Sequence, residues 1–238
     1  MYKMPKKSNE MINFYERVPK HMLLDAPNPN FQDHLIKTPF RMCVSAPSGS
    51  GKTTFLLNLL QRFSTGKGTF AKIYIITRNA DESLYNYLKT KSDQIFIKEG
   101  LENLPNLDKD FDKTDGTQSI VCFDDLVLAK NQKPIENYYL RSRKFNVSCV
   151  YLSQAYHSIP IFIRKNSQYV VILKLGGQRE VNRILSDFGL GVSKEQMLGM
   201  YEFATSQKFS PLLIDTEAEK DKKFRKGFLE VLDPSAFA

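Results

Sequence analysis

The sequence predicts an α/β domain in which helices flank a mainly parallel central sheet. Along most of the 238 residues, short apolar runs alternate with helical patterns, as expected of consecutive βαβ units. A glycine-rich loop lies between the first apolar run and the first helix, and a later apolar run ends in two carboxylates. Because ligands of open parallel sheets bind at the carboxyl ends of the strands, both features are expected at one edge of the sheet.

The predicted strands are short and apolar, which is typical of strands buried on both faces of a parallel sheet. They span residues 40–45, 71–76, 94–98, 119–123, 147–152, 169–175 and 212–215. The predicted helices span residues 52–63, 82–90, 135–143, 180–188 and 194–201, with a shorter one near 11–17. An acidic connection covers 102–116, and we interpret the mixed charge run 217–226 as a solvated helix or tail.

The glycine-rich loop has the sequence and the setting of a phosphate-binding P-loop. Its glycines let backbone N–H groups converge on phosphates, and the helix that follows adds the positive end of its dipole. Lys52 is expected to reach the β- and γ-phosphates, and Thr53 to offer its hydroxyl to Mg²⁺. Ala46 stands where the usual pattern has its first glycine. The residues predicted to bind the nucleotide are Pro47, Ser48, Gly49, Ser50, Gly51, Lys52, Thr53 and Thr54.

The second motif is an apolar run over residues 119–123 that ends in Asp124 and Asp125. At the carboxyl end of a buried parallel strand, these carboxylates would emerge beside the P-loop. Asp124 is then expected to hold Mg²⁺, directly or through water, and Asp125 to orient or deprotonate the attacking water. The pairing of the two motifs favours nucleotide hydrolysis over the alternative of a glycine turn beside a surface lysine.

A third group of polar residues surrounds the predicted strand 147–152. Gln154, just beyond the end of that strand, is expected to sense the γ-phosphate and to help position the attacking water. Arg143 precedes the strand and Arg164 follows it, and each is a candidate arginine finger that would stabilise the charge of the transferred phosphoryl group. The alternative is that all three are ordinary surface residues.

Composition and charge narrow the class of protein further. No apolar run approaches the ~18 residues of a membrane span, and the first residues lack the apolar stretch of a signal peptide, so we expect neither a membrane protein nor a secreted one. The net charge of +8 is concentrated in residues 130–183, which hold ten Lys or Arg against two Asp or Glu. Such a stretch attracts polyanions, of which nucleic acid is the usual one, with solvated lysines as the alternative.

The order of these motifs resembles that of the DNA-packaging ATPases of nucleocytoplasmic large DNA viruses and their virophage relatives. These ATPases form a poxvirus-type branch of the FtsK–HerA translocases. The resemblance runs from about residue 28 to residue 215. It rests on a combination of Pro39-Phe40-Arg41 before the P-loop, the core Ser48-Gly49-Ser50-Gly51-Lys52-Thr53, Phe123-Asp124-Asp125, Arg141 with Arg143 and Lys144, Tyr151-Leu152-Ser153-Gln154, Ile159-Pro160, and Ile163-Arg164 with Asn166.

The resemblance implies a RecA-like core that binds ATP and Mg²⁺ and assembles into a homo-oligomeric ring, a pentamer or hexamer, around double-stranded DNA. ATP would lie between subunits, with an arginine supplied by the neighbour, for which Arg143 is the first choice and Arg164 the second. The implied function is an ATP-driven translocase that packages a viral genome, with capsid vertex proteins as candidate partners. It would act in the virus factory of the host cytoplasm or in the virion.

On this interpretation the chain has an N-terminal arm (1–30), a P-loop ATPase domain (31–216) and a charged C-terminal tail (217–238). Two other functions stay open on the sequence alone. A small-molecule P-loop kinase would use the same loop, although the chain shows no Arg-rich lid segment and a kinase gives Gln154 no evident role. A nucleotide-binding assembly scaffold with little hydrolysis is the second, because Asp125 stands where FtsK–HerA members often have the longer glutamate.

Overall fold

The computed structural model of the chain describes residues 13–23, 26–112, 116–189 and 191–237. Within these residues, the strands are β1 (Arg41–Ser45), β2 (Lys72–Thr77), β3 (Ile95–Glu99), β4 (Ser119–Asp124), β5 (Val147–Ser153), β6 (Tyr169–Ile172), β7 (Leu212–Asp215), β8 (Phe224–Lys226) and β9 (Glu230–Val231). The α-helices are α1 (Phe31–His34), α2 (Lys52–Phe63), α3 (Ser83–Lys89), α4 (Leu107–Asp110), α5 (Lys133–Arg141), α6 (Ile161–Asn166), α7 (Gln178–Phe188) and α8 (Lys194–Ala204).

All of these strands belong to one sheet, in the order β3-β2-β4-β5-β1-β6-β7-β8-β9. The first six in this order pair in parallel, and β7, β8 and β9 join antiparallel on one side. The predicted α/β fold, with a mainly parallel sheet and flanking helices, is confirmed. Because β5 lies between β1 and β4, the segments that follow these three strands meet at the same edge of the sheet.

Helices cover both faces of the sheet because successive strand residues point to opposite sides. In β1, Met42 and Val44 pack in one apolar cluster and Cys43 packs in the other. On the first face, α2 buries a stripe with helical spacing: Phe55, Leu56, Leu59, Leu60 and Phe63. Helices α5 to α8 contribute to the cluster on the opposite face. The strand ends that carry the polar motifs are therefore held by a core on each side.

Several local features differ from the prediction. The short helices α1, α4 and α6, of four to six residues, have no predicted counterpart, because so few residues do not reveal a helical period. The predicted strand 169–175 ends at Ile172, and the residues beyond it lead out of the sheet edge. Of the helix predicted near 11–17, residues 11 and 12 lie outside the described part, and Phe14–Arg17 form an exposed 3-10 turn.

The C-terminal residues correct the prediction of a solvated helix or charged tail. Residues 217–222 are largely exposed, but β8 and β9 extend the sheet, with Phe224 and Leu232 buried in its core. Arg225 is also buried, because its Nη1 donates to the carbonyl oxygens of His34 and Leu35, each at 3.1 Å, and of Phe228 at 3.0 Å. The charge pattern predicted a solvent-exposed side chain, whereas backbone carbonyl groups accept the hydrogen bonds of this guanidinium inside the fold.

The three cysteines, Cys43, Cys122 and Cys149, are buried in strands and form no disulfide. Burial raises the pKa of the Cys43 and Cys149 thiols to about 12, which makes them unreactive. None of the described helices combines the length and the apolar character that a membrane span needs.

Candidate nucleotide-binding site

The P-loop joins the end of β1 to the start of α2, as predicted. Gly49 and Gly51 have φ angles of +74° and +103°, in the left-handed region that side-chain-bearing residues avoid. Position 46 does not require glycine, because the φ of Ala46 is not positive. Its N–H continues the pairing of β1 with β5 by donating to Ser153 O at 2.9 Å. It is fully buried, so a small side chain suffices there.

The loop closes into a turn that presents the first amides of α2. The Ser50 N–H and hydroxyl both donate to Pro47 O, at 3.0 and 2.7 Å. The helix begins at Lys52, and Thr53 and Thr54 lie in its first turn. Amides at the start of a helix have no partner within it and attract anions together with the helix dipole, so this turn can hold a phosphate.

Lys52 connects the P-loop to the end of β4. Its ammonium lies 3.0 Å from Asp124 Oδ1 and 2.9 Å from Asp125 Oδ1, and the lysine side chain is only 13% exposed. Lys52 and Asp124 are 72 positions apart in the sequence, and β5 separates β1, which precedes the P-loop, from β4, which ends at Asp124. The two motifs of the sequence thus form a single charged centre at the carboxyl edge of the sheet.

Asp124 is buried and held by a tyrosine that sequence reasoning missed. The hydroxyl of Tyr85, on α3, donates to Asp124 Oδ2 at 2.7 Å. Burial, and then the negative charge of Asp124, raise the pKa of Tyr85 well above its ordinary value, so this hydroxyl remains a donor. Asp124 Oδ1 accepts no hydrogen bond from the described residues and faces the Lys52 ammonium. With the Thr53 hydroxyl, it is an oxygen donor of the type that Mg²⁺ prefers.

Asp125 and Gln154 lie together beside this centre. Asp125 leaves β4 with a left-handed φ of +56°, and Gln154 follows the last residue of β5. Gln154 Nε2 donates to Asp125 Oδ2 at 2.8 Å. Because the amide holds one carboxylate oxygen and Lys52 contacts the other, the Asp125 side chain has a defined orientation. The pair could orient a water molecule near the phosphates.

The two arginine candidates lie apart from this centre. Arg143 is exposed in the 3-10 turn before β5, while Gln154 follows the far end of that strand, so roughly 20 Å of β-structure separates them. Arg164 is tied into the fold, with Nη1 3.5 Å from Asp187 Oδ2 and its guanidinium carbon 4.7 Å from the centroid of the Tyr156 ring. Its side chain is only 12% exposed. Arg143 therefore lies at the far end of β5 from the phosphate-binding centre, and the guanidinium of Arg164 is engaged by Asp187 and Tyr156.

The sequence also missed the residues beside the P-loop. A cleft of about 560 Å³, which we call the lateral cleft, lies next to the loop. It is lined by Pro47, Ser48, Gly49 and Ser50, by Lys174, Leu175 and Gly176 after β6, and by residues 205–210 after α8. No motif marks the last two segments, and the only local signal is the pair of glycines at 176 and 177.

The strand order, the P-loop after β1 and the paired carboxylates at the end of β4 define a RecA-like P-loop NTPase fold. Residues 29–217 match the family model described as Poxvirus A32 protein. The chain belongs to this family. The resemblance to poxvirus-type DNA-packaging ATPases that the motifs suggested is thereby confirmed at the level of the family.

Viral relatives extend over most of the chain. The DNA packaging protein OPG160 of Vaccinia virus (strain Copenhagen) is 28% identical over 228 residues, covering 86% of this chain and 78% of the relative. The protein of that name from Monkeypox virus is also 28% identical, over 221 residues, covering 86% and 70%.

Solved structures show the same fold at low identity. The genome packaging NTPase B204 from Sulfolobus turreted icosahedral virus 2, in complex with ATP-gammaS, has a TM-score of 0.58 at 12% identity, covering 81% of this chain and 98% of B204. Thermomonospora curvata EccC (ATPases 2 and 3) has a TM-score of 0.52 at 11% identity, covering 81% and 39%.

Proposed function

We propose that this chain is an ATP-driven translocase that packages double-stranded viral DNA into a capsid. The observation that carries the proposal is the single centre formed by Lys52, Asp124, Asp125 and Gln154 beside the P-loop. Membership of the family supports the role in DNA packaging, because the viral relatives are named DNA packaging proteins. We place the protein in the virus factory of the host cytoplasm or in the virion.

Each residue of the centre has a separate task in hydrolysis. The amides of the P-loop hold the β- and γ-phosphates, and the Lys52 ammonium turns to them from the two aspartates. Asp124 and the Thr53 hydroxyl would hold Mg²⁺, which when bound neutralises charge on the phosphates. Asp125, oriented by Gln154, positions the attacking water and accepts its proton. A small-molecule kinase would give the Gln154–Asp125 pair no evident role, whereas a hydrolase would use it to position water, so we favour attack by water.

The Tyr85 hydroxyl should tune the metal site. In Tyr85→Phe, Asp124 loses the 2.7 Å hydrogen bond that orients it, so binding of a non-hydrolysable ATP analogue should require roughly 10-fold more Mg²⁺. Titration of analogue binding at a series of Mg²⁺ concentrations measures this. Tyr87→Phe, on the exposed face of the same helix, is the matched control and should leave the Mg²⁺ requirement unchanged. If Tyr85→Phe needs no more Mg²⁺ than the wild type, the Tyr85 hydroxyl does not contribute to the metal site.

Assembly into a ring, a pentamer or hexamer, would let an arginine of one subunit act at the P-loop of its neighbour. Arg143 is exposed at the opposite edge of the sheet, where a neighbouring subunit's nucleotide could approach it. Arg164 is the weaker candidate for this role, because Asp187 and Tyr156 already hold its guanidinium. Capsid vertex proteins are the partners we expect for such a ring.

Exposed basic residues in 130–183 are available to contact the DNA backbone. Of the ten in 130–183, Arg141 pairs with Asp108 and Arg164 with Asp187. The other eight are exposed: Lys130, Lys133, Arg143, Lys144, Lys165, Lys174, Arg179 and Arg183. Neutralising phosphates with such residues releases counterions and carries no sequence preference. We therefore propose electrostatic, non-specific binding of duplex DNA.

Phosphate release measured with and without linear duplex DNA, over a series of salt concentrations, tests the function. We expect DNA to stimulate release, and DNA affinity to fall with salt at a log–log slope of about −0.9 per neutralised phosphate. Lys52→Ala is the control, since it should bind DNA with the same slope and release no phosphate. Salt-independent affinity, preference for one short sequence, or transfer of phosphate to a small acceptor would contradict the proposal.

A further inference from the structure

The lateral cleft continues the phosphate-binding loop into the fold. One wall is the P-loop itself, and the others are the residues after β6 and the loop after α8. Its volume of about 560 Å³ falls in the range of small-molecule sites. The nucleoside of a nucleotide whose phosphates bind at the P-loop has to lie beside that loop. The lateral cleft adjoins the loop and is therefore a candidate site for the nucleoside.

Phe209 is the aromatic residue that lines the cleft, and its backbone has a positive φ. Its φ is +66°, which is uncommon for a bulky side chain, and such outliers cluster at active sites and ligand-binding sites. Its ring lies against Gly51 of the P-loop, so closely that a Cβ on Gly51 would be 2.2 Å from Phe209 Cδ1. Phe209 as a whole is nevertheless 41% exposed, so the residue is accessible from solvent.

The loop that carries Phe209 is anchored at both ends. At its start, the Thr205 hydroxyl donates to Tyr201 O at 2.8 Å, inside the core. Within it, the Ser210 N–H donates to Gln207 O at 3.2 Å, and the next residue is held by the N–H of Gly227, which donates to Pro211 O at 2.9 Å. The backbone on either side of Phe209 is therefore fixed by hydrogen bonds that need no ligand.

Positive charge accompanies the ring. Lys208 Nζ lies 4.8 Å from the centroid of the Phe209 ring, and Lys174 is exposed on the facing wall. The two walls are joined by Tyr201, whose hydroxyl accepts from the Leu175 N–H at 2.7 Å. An aromatic face with two ammonium groups, next to a P-loop, matches a ligand that carries a flat base and a polyphosphate.

We propose that the lateral cleft binds the nucleoside of a nucleoside triphosphate, with its base stacked on Phe209. The Lys208 ammonium, which lies over the Phe209 ring in the free chain, would move from the ring to the phosphates when a base stacks there, and Lys174 would add favourable charge from another wall of the cleft. The inference rests on the proposed nucleotide site and adds to it the residues that bind the base. Stacking on an aromatic side chain contributes to affinity only when the ligand has a base.

Affinities for a non-hydrolysable ATP analogue and for inorganic triphosphate, both with Mg²⁺, test this in the full chain. Phe209→Ala should lower the affinity for the ATP analogue by roughly 10-fold and leave the affinity for triphosphate unchanged. Phe209→Tyr keeps an aromatic face and should bind both ligands as wild type does. Phe209→Leu keeps apolar volume but no aromatic face, so it should lose affinity for the analogue alone.

Three results would overturn the inference. Wild-type affinity of Phe209→Ala or Phe209→Leu for the analogue would show that no base stacks on the ring. An equal change for both ligands would show that Phe209 acts on the P-loop and not on the base. Failure of the wild type to bind either ligand would instead refute the proposed nucleotide site, and this inference with it. Far-ultraviolet circular dichroism of each variant verifies that it is folded.

Discussion

Lys52→Ala should abolish nucleotide binding, whereas Asp125→Asn should keep binding and lose hydrolysis. Without its ammonium, the P-loop would bring phosphates towards two uncompensated carboxylates, so affinity should fall by roughly 100-fold or more. The amide introduced by Asp125→Asn can still contact Gln154 but cannot accept a proton, so turnover should fall by roughly 10²–10⁴-fold. Titration with a fluorescent ATP analogue and a phosphate-release assay separate the two effects.

The matched control for Lys52 is Lys67→Ala, which removes an exposed lysine in the loop after the same helix and should change neither quantity. A Lys52→Ala protein that hydrolyses ATP at nearly the wild-type rate would refute the P-loop assignment. If Asp125→Asn retains full turnover, Asp125 is not the base. Binding without turnover in the wild type, with and without DNA, would favour the assembly scaffold.

Two inactive variants, Arg143→Ala and Asp124→Asn, should regain activity when mixed. The first keeps its own phosphate and metal residues, and the second keeps its arginine, so a mixed ring places some intact arginines against intact sites. Since an arginine finger contributes about 10³–10⁵ in rate, even partial complementation should be measurable. Asp124→Asn is used because its amide oxygen can still accept from Tyr85. Phosphate release is compared in the separate and mixed proteins.

Lys144→Ala, which removes an exposed charge next to Arg143, is the control and should remain active alone. If mixed assembly is demonstrated and activity does not return, Arg143 is not supplied in trans. The same mixture made with Arg164→Ala then tests the second candidate. Because Arg164 contacts Asp187 and Tyr156, we expect that variant to lower stability, which thermal unfolding detects.

Local sequence determined the phosphate-binding loop and the carboxylates at the end of β4. The glycines, Lys52 and the apolar runs are features of short segments, so their spacing alone predicted an α/β sheet with both motifs at one edge. The structure brings Lys52 within 3.0 Å of Asp124. The roles of these residues, and the trans arginine, stay predictions that the experiments above address.

Tertiary structure alone decided which other residues surround that centre. Tyr85 meets Asp124 from 39 positions away, and Phe209 lies against Gly51 through a loop that no motif marks. Tertiary contacts also buried Arg225, a charged residue that the sequence placed in a solvated tail, by supplying backbone carbonyls. A sequence pattern reports the preferences of a local segment, whereas these contacts depend on which distant groups the packed sheet brings within hydrogen-bonding or van der Waals distance.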